Sequence, residues 1–204
     1  MRYRRSAPLV RWLDERARTI DVLAMGHASV GAVSGPGRPL ELSKPIAHAY
    51  VIVMLREFQA FARDLHDVAV QSLVTASGVD EAFRPIMIEG ITGGRQLDRG
   101  NATQSAIKSD FKRIGLAAID IQAHNDGWSS GDPKDSATFD ALVELRNAVG
   151  HGNEVALKTL IGSRRARDTV SWARDRRPVL NRYSKALDRI VWDHLMKTTG
   201  SEPW

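Results

Sequence analysis

The chain of 204 residues contains no cysteine. Without thiols it forms neither a disulfide framework nor a thiolate zinc site, and it has no cysteine nucleophile. Its six histidines are scattered, and no two of them have the HxH or HxxxH spacing of many metal sites. We therefore expect neither a metal ion nor a cofactor, and a reducing compartment such as the cytoplasm.

Long hydrophobic runs are also missing. The most apolar window, AHAYVIVML, is followed at once by Arg56 and Glu57 and is too short to span a bilayer. The N-terminus is basic, but charged residues interrupt it before an apolar stretch of signal-peptide length develops. These features predict a soluble, cytoplasmic protein without membrane contact.

The chain has no internal repeat and no sustained alternation of apolar and polar residues. Apolar residues instead recur every three or four positions, which is typical of helices that bury one face. The pattern predicts an all-α fold. The predicted helices cover residues 8–25, 43–76, 80–89, 101–119, 154–161 and 164–197, with another that starts between 132 and 136 and runs to 149. Pro178 is expected to kink or divide the last of them.

Three stretches rich in glycine, proline, serine or polar residues separate these helices. Residues 26–42, GHASVGAVSGPGRPLEL, predict a linker or wide loop, and residues 90–101 and 121–136 predict shorter breaks. The linker divides the chain into residues 1–40, an N-terminal helix with its linker, and residues 41–204, a helical domain large enough for its own core.

The positive charge is concentrated at the C-terminal end. Residues 1–150 contain 18 Lys and Arg against 18 Asp and Glu, so the net charge of +5 comes from residues 151–204. Seven arginines and two aspartates lie in residues 164–182. Arginine without lysine suits planar, bidentate binding of phosphate, so an RNA or DNA backbone is a candidate partner, and a solvated helix face is the alternative.

The stretch LRNAVGHGN, residues 145–153, places arginine, asparagine and histidine together near a predicted helix end. Arginine binds phosphate, and histidine transfers protons near neutral pH. Arg146 and His151 are five residues apart, about 140° around an ideal helix, whereas Asn147 and His151 share a face. The glycines beside His151 allow the helix to distort or end there; alternatively, two copies of the motif meet across a two-fold axis.

The segment RNAVGH resembles the R-N-x-x-x-H form of the HEPN-domain signature, and LVELRNAVGHGN is similar to RiboL-PSP-type HEPN proteins of prokaryotic conflict systems. The upstream REFQAFARDLH resembles the helix of that group in which an aromatic and an acidic residue lie close together. The resemblance covers residues 43–197, preceded by an N-terminal helical extension. Some HEPN toxins carry a tyrosine two residues after the histidine, which a partner nucleotidyltransferase modifies; here Asn153 stands there, which argues against that subgroup.

The resemblance implies a HEPN-like helical bundle that forms a homodimer and cuts RNA without a metal ion. Such a protein would be a toxin or effector of a prokaryotic defence system, and an inhibitory protein is a possible partner. Arg146 and His151 would be the catalytic pair, and Asn147 would orient the imidazole or the phosphate. The histidine would take the proton of an RNA 2′-hydroxyl, which attacks the adjacent phosphorus, while the guanidinium stabilises the phosphoryl oxygens. Glu57 is a candidate to hold His151 in one tautomer.

Each of these residues also has a structural interpretation. His151 could be a buried or capping histidine beside a surface arginine, and Asn147 could bond a free carbonyl at the helix end. Glu57 could pair with a nearby arginine. The arginines expected to track RNA phosphates, Arg164, Arg165 and Arg167, could form a solvated face.

Two other functions are compatible with the sequence. One is a HEPN-type domain that binds RNA, a nucleotide or a protein without turnover. The other is a helical DNA-binding regulator, but no helix-turn-helix spacing is evident and the positive charge is confined to one segment.

Overall fold

The computed structural model describes residues 2–33, 43–116 and 133–204. The all-α prediction is confirmed in these ranges, which contain helices and no strand. The helices are α1 (Ala7–Arg11), a π-helical turn (Trp12–Arg16), α2 (Ala17–Val33), α3 (Ser43–Ala76), a 3-10 turn (Glu81–Phe83), α4 (Arg84–Thr92), α5 (Gln96–Arg99), α6 (Gln104–Lys112), α7 (Pro133–Gly150), α8 (Glu154–Gly162), α9 (Val170–Arg174) and α10 (Arg177–Thr199). Within the described ranges, no helix combines the length and the apolar character needed to cross a membrane.

Helix α3 is the centre of the bundle and packs against α1, α2, α4, α7, α9 and α10. The predicted apolar stripe is buried: no solvent reaches Tyr50, Met54, Phe58, Phe61 or Leu65. The ring of Phe58 contacts Trp12 at 5.6 Å and Phe139 at 5.5 Å, and Phe139 stacks on Tyr183 at 4.8 Å between ring centroids. Helices α3, α7 and α10 and the π-helical turn therefore share one aromatic core.

The N-terminal helix packs into this same core. Leu9, Trp12 and Ile20 are buried together with residues of α3. In the π-helical turn the backbone N–H of Ala17 donates to the carbonyl of Trp12, five residues earlier, where an α-helix would bond four residues back. The domain boundary predicted at residue 40 lies outside the described residues.

The loop predicted over residues 26–42 is wrong in its first part, because α2 runs on to Val33. The rest of that loop, residues 34–42, lies outside the described residues. Gly26 and Gly31 are tolerated within the helix at a cost of roughly 1 kcal/mol each relative to alanine, which the backbone hydrogen bonds of a 17-residue helix offset.

Three further helix bounds differ from the prediction. Helix α4 continues through Gly90 to Thr92, and the short α5 occupies the middle of the expected break at 90–101. Helix α6 ends at Lys112 because the chain turns at Gly115, which has φ +84° and packs against His194. The helix predicted over 164–197 begins only at Val170, and Pro178 in the first turn of α10 divides it, as expected.

Candidate functional site

The RNAVGH motif lies at the C-terminal end of α7. This helix is regular up to Gly150, and the backbone N–H of His151 still donates to the carbonyl of Asn147 at 3.0 Å. Gly152 then has φ +61°, its N–H donates to Val149, and the N–H of Asn153 donates to Ala148 at 2.8 Å. These two bonds form a Schellman cap, which requires a left-handed residue and so explains Gly152.

Asn153 begins the next helix. Its side-chain oxygen accepts a hydrogen bond from the backbone N–H of Ala156 at 3.0 Å, so it is the N-cap of α8. Asparagine is among the best N-cap residues and tyrosine is not, which is a local reason for asparagine at the position where some HEPN toxins have tyrosine. The GHGN segment therefore joins α7 to α8 through two complementary caps.

The His151 side chain is exposed, and within the described part of the chain it makes no hydrogen bond or ion pair. Its backbone position is the C-cap of α7, as the capping interpretation expects. The cap, however, uses only backbone groups. The imidazole is thus free to meet a ligand from solvent.

Arg146 is half-buried and forms no ion pair with any described residue. Because α7 stays regular to Gly150, Arg146 and His151 point in directions about 140° apart around the helix axis. Of the two expectations for this point, distortion or an end of the helix, the structure has the second: α7 ends at Gly150 and is capped at Gly152. A two-fold arrangement is one way to combine these two side chains.

Asn147 is held in place by a residue that the sequence analysis missed. Its Oδ1 accepts a hydrogen bond from Nδ2 of Asn101, in the segment before α6. Nearby, Gln104 on α6 bonds Ser136 and Asp140 of α7 at 2.7 and 3.0 Å. This bond uses the oxygen of Asn147, so its side-chain N–H groups, the only ones that could donate to a free carbonyl, take no part in it.

Glu57 is buried in a different place from the motif. Its Oε2 accepts a hydrogen bond from Nη1 of Arg16 at 2.7 Å, and its Oε1 lies 3.4 Å from Arg56. Arg16 also bonds Asp64 at 2.8 Å through Nη2. Both carboxylate oxygens of Glu57 thus face arginines, and no contact with His151 is formed. The predicted role of holding the imidazole gives way to the alternative, an ion pair that ties the π-helical turn to α3.

The seven arginines of residues 164–182 divide into engaged and unengaged side chains. Four are engaged: Arg165 with Glu144, Arg177 with Asp21, Arg182 bidentately with Asp135, and Arg176 over the ring of Trp172 at 4.7 Å. Arg164, Arg167 and Arg174 are exposed, and in the described part of the molecule they have no side-chain partner. The segment is therefore neither a uniform phosphate-binding surface nor a merely solvated helix face.

No protein-family model, no curated protein and no solved structure matches the chain. Among the described residues, no group of three or more His, Asp or Glu side chains is arranged to hold a metal ion. The function must accordingly be argued from the motif and its surroundings.

Proposed function

We propose that the protein is a metal-independent endoribonuclease that acts as a homodimer. His151 would remove the proton from an RNA 2′-hydroxyl, and the resulting oxygen would attack the adjacent phosphorus. Arg146 would stabilise the charge that develops on the phosphoryl oxygens, and Asn147 would orient the imidazole or the phosphate. The products would carry a 2′,3′-cyclic phosphate and a 5′-hydroxyl. DNA lacks the attacking hydroxyl and should survive.

One observation carries this proposal: the end of α7 presents an arginine and a histidine that the fold does not use. Neither side chain is bonded within the described residues, whereas Arg165, Arg177 and Arg182 are held by carboxylates. A histidine that served only to end the helix would need no side chain, because the cap is made by Gly152 and backbone groups.

The angle between these positions on an ideal helix favours a site that combines two copies of the chain. With Arg146 and His151 about 140° apart on α7, a complete pair would combine His151 of one protomer with Arg146 of the other. Each dimer would then contain two equivalent composite sites. This arrangement can be tested by mixing two inactive variants. Activity should return if the site is shared between two chains, and should not return if each site lies within one chain.

The decisive test uses labelled single-stranded RNA in EDTA, with wild-type protein, His151→Ala and Arg146→Ala. Each variant alone should be inactive. When equal amounts of the two variants exchange subunits, half of the dimers are heterodimers with one intact site each, so about a quarter of the wild-type activity should return. Cleavage that EDTA abolishes, or ends other than a cyclic phosphate or 3′-phosphate with a 5′-hydroxyl, would contradict the mechanism.

A second candidate is a binding module without turnover. It is favoured by the complete capping role of Gly152 and Asn153, which explains half of the GHGN segment without chemistry. A binding module would bind RNA and leave it intact. Neither wild type nor His151→Ala would then cleave RNA, and the substitution would change only the affinity.

The biological setting that goes with the nuclease is defence in the cytoplasm, where an inhibitory partner would restrain it. Expression of wild-type protein should then slow growth, and His151→Ala should relieve the effect at an equal protein level. Equal toxicity of both forms would remove the link between the motif and a toxin role.

A further inference from the structure

The loop between α8 and α9, residues 163–169, is fixed by contacts at Arg165, Ala166, Asp168 and Thr169. Arg165 pairs with Glu144 of α7 at 2.7 Å, and Asp168 pairs with Lys44 at the start of α3 at 3.5 Å. Ala166 is completely buried, and Thr169 caps α9 through the N–H of Trp172 at 3.3 Å. The loop is therefore attached to both α7 and α3. These contacts determine its conformation and leave two of its arginine side chains exposed to solvent.

Those two side chains are Arg164 and Arg167. Both are exposed, and neither bonds a residue in the described ranges. Each has neighbours in sequence that are anchored to other helices, so their Cα positions are set by the fold. They are three positions apart, so their Cα atoms are separated by at most about 11 Å, the length of roughly three stacked nucleotides.

Arg164 also has an unusual backbone. With φ +59° it is the one residue other than glycine, among those described, that has a left-handed conformation. It occupies the left-handed position of a Schellman cap on α8: its N–H donates to Ile161 at 3.0 Å, and that of Arg165 donates to Leu160 at 3.1 Å. Glycine is the usual residue there, so arginine at this position has a conformational cost that a functional role would explain.

The loop is tied to α7, the same helix that ends in the motif. Its anchor Glu144 and the candidate base His151 are seven residues apart, which places them on one face of α7 within about 20° and separates them by about 10 Å along the axis. An RNA strand bound at the loop would therefore have to extend only about 10 Å along α7 to reach His151 of the same chain.

We propose that Arg164 and Arg167 bind the sugar–phosphate backbone of single-stranded RNA and guide it to His151, while Arg165 supports the loop and does not contact RNA. The inference rests on the proposed function for its choice of RNA as the ligand. In place of a general basic surface, Arg164 and Arg167 are the residues that bind RNA, and Arg165 holds the loop in position through Glu144.

The test measures binding apart from cleavage. Every protein carries His151→Ala, and the affinity for a labelled single-stranded RNA is followed by anisotropy between 50 and 200 mM salt, conditions in which phosphate contacts are resolved. Arg164→Gly and Arg167→Ala remove the proposed contacts one at a time. Lys112→Ala is the matched loss of one exposed positive charge, at the last residue of α6. A single-stranded DNA of the same sequence identifies contacts to phosphate alone.

Each loop variant should flatten the slope of log K against log salt by about 0.7 and weaken binding about five-fold at 0.1 M salt, and the double variant about 25-fold. The DNA strand should show the same losses, since phosphates are common to both. Arg164→Gly should in addition raise Tm by about 2–4 °C, because glycine removes the strain of the left-handed position. Loss of RNA affinity together with a gain in Tm distinguishes a binding residue from a structural one.

Three results would overturn the inference: a parent protein that binds no RNA, a double variant that binds as tightly as the parent, or Lys112→Ala that weakens binding equally. Its failure is separable from that of the nuclease proposal. If wild type cuts RNA and the double variant in a His151 background cuts it with the same KM, only the binding role of Arg164 and Arg167 is refuted. A protein that binds through Arg164 and Arg167 but never cuts refutes the nuclease alone.

Discussion

Arg95 donates a hydrogen bond from Nη1 to Nδ1 of His66 at 3.1 Å, in the interior of the bundle where His66 has no exposed surface. Since Nδ1 accepts, the proton of the neutral ring is on Nε2, which donates to the carbonyl of Asp110 at 3.0 Å. Arg95 also pairs with Asp67 and Asp98. Burial, followed by the charge of Arg95, lowers the pKa of His66.

This histidine should make stability depend on pH. Its folded pKa lies below the ordinary value of 6.5, so its contribution is complete above pH 6.5 and is lost as pH falls through the folded pKa. His66→Leu should lose about 1–3 kcal/mol at pH 7.5, because Arg95 loses an acceptor and the carbonyl of Asp110 a donor, and should lose less on acidification than wild type does. Urea unfolding at several pH values between 5 and 7.5 measures both; parallel curves for the two proteins would show that His66 does not titrate in this way.

The two ends of the chain meet at Asp188, a buried carboxylate on α10. Ser6 Oγ and Tyr3 Oη both donate to it, the latter at 2.6 Å, and Ser6 Oγ also accepts from the N–H of Leu9 to cap α1. Ser6→Ala removes the cap and one bond to a buried charge, so it should cost about 2–3 kcal/mol at pH 7. Thermal or urea unfolding measures the loss, with Ser109→Ala, an exposed serine of α6, as a control that stays within about 0.5 kcal/mol.

The cost of Ser6→Ala should also shrink in acid. Burial raises the pKa of Asp188 above its ordinary 3.8, so the stability it contributes is complete below 3.8 and is lost as pH rises through the folded pKa. The hydroxyl of Ser6 limits that loss by stabilising the charged form. A penalty that is equal at pH 4 and pH 7 would mean that the serine acts only as a helix cap.

The spacing of apolar residues was sufficient to predict the central helix and the buried face of α10, because burial of one helical face imposes a period of 3.6 on the sequence. It was insufficient for the polar contacts. His66 bonds Arg95 and Asp110, which are 29 and 44 residues away in the sequence, and Asn147 bonds Asn101, which is 46 residues away. Such pairs leave no periodic signal, since they depend on how the helices are placed in three dimensions.

Local backbone details escaped prediction for a related reason. Glycine at position 152 signals a left-handed cap, but arginine at position 164 has a low intrinsic preference for the same conformation. The predicted helix 154–161 ends within one residue of the end of α8, but the loop after it was missed, so the next predicted helix begins six residues before α9 does.

Glu57 and Arg16 offer a test of whether Glu57 has a structural or a catalytic role. The pair is largely buried, with 10% and 17% of the side chains exposed, and it connects the π-helical turn to α3. Glu57→Gln should lower the free energy of unfolding by about 1–3 kcal/mol, because Arg16 keeps a buried charge with a weaker acceptor. RNA cleavage by the folded variant should be close to wild type. Unchanged stability with a large loss of kcat would instead support a role beside His151.

Gly150 and Gly152 flank His151 and should respond oppositely to alanine. Gly150 is the last residue of a regular helix, and a Cβ there meets no atom within 4 Å, so Gly150→Ala should stabilise the protein by about 0.5–1 kcal/mol. A Cβ at Gly152 also has open space, but φ +61° is unfavourable for alanine, and Gly152→Ala should cost about 1–2 kcal/mol.

The same pair of variants separates capping from catalysis. If the two glycines serve only to end α7 and begin α8, Gly150→Ala should cut or bind RNA as wild type does, because the direction of the imidazole depends on the cap at Gly152. Unfolding measurements and RNA assays on both variants, each checked for helix content, provide the comparison. A Gly150→Ala protein that is more stable but inactive would show that RNA approaches the α7 backbone closely at this position, which the capping role alone does not require.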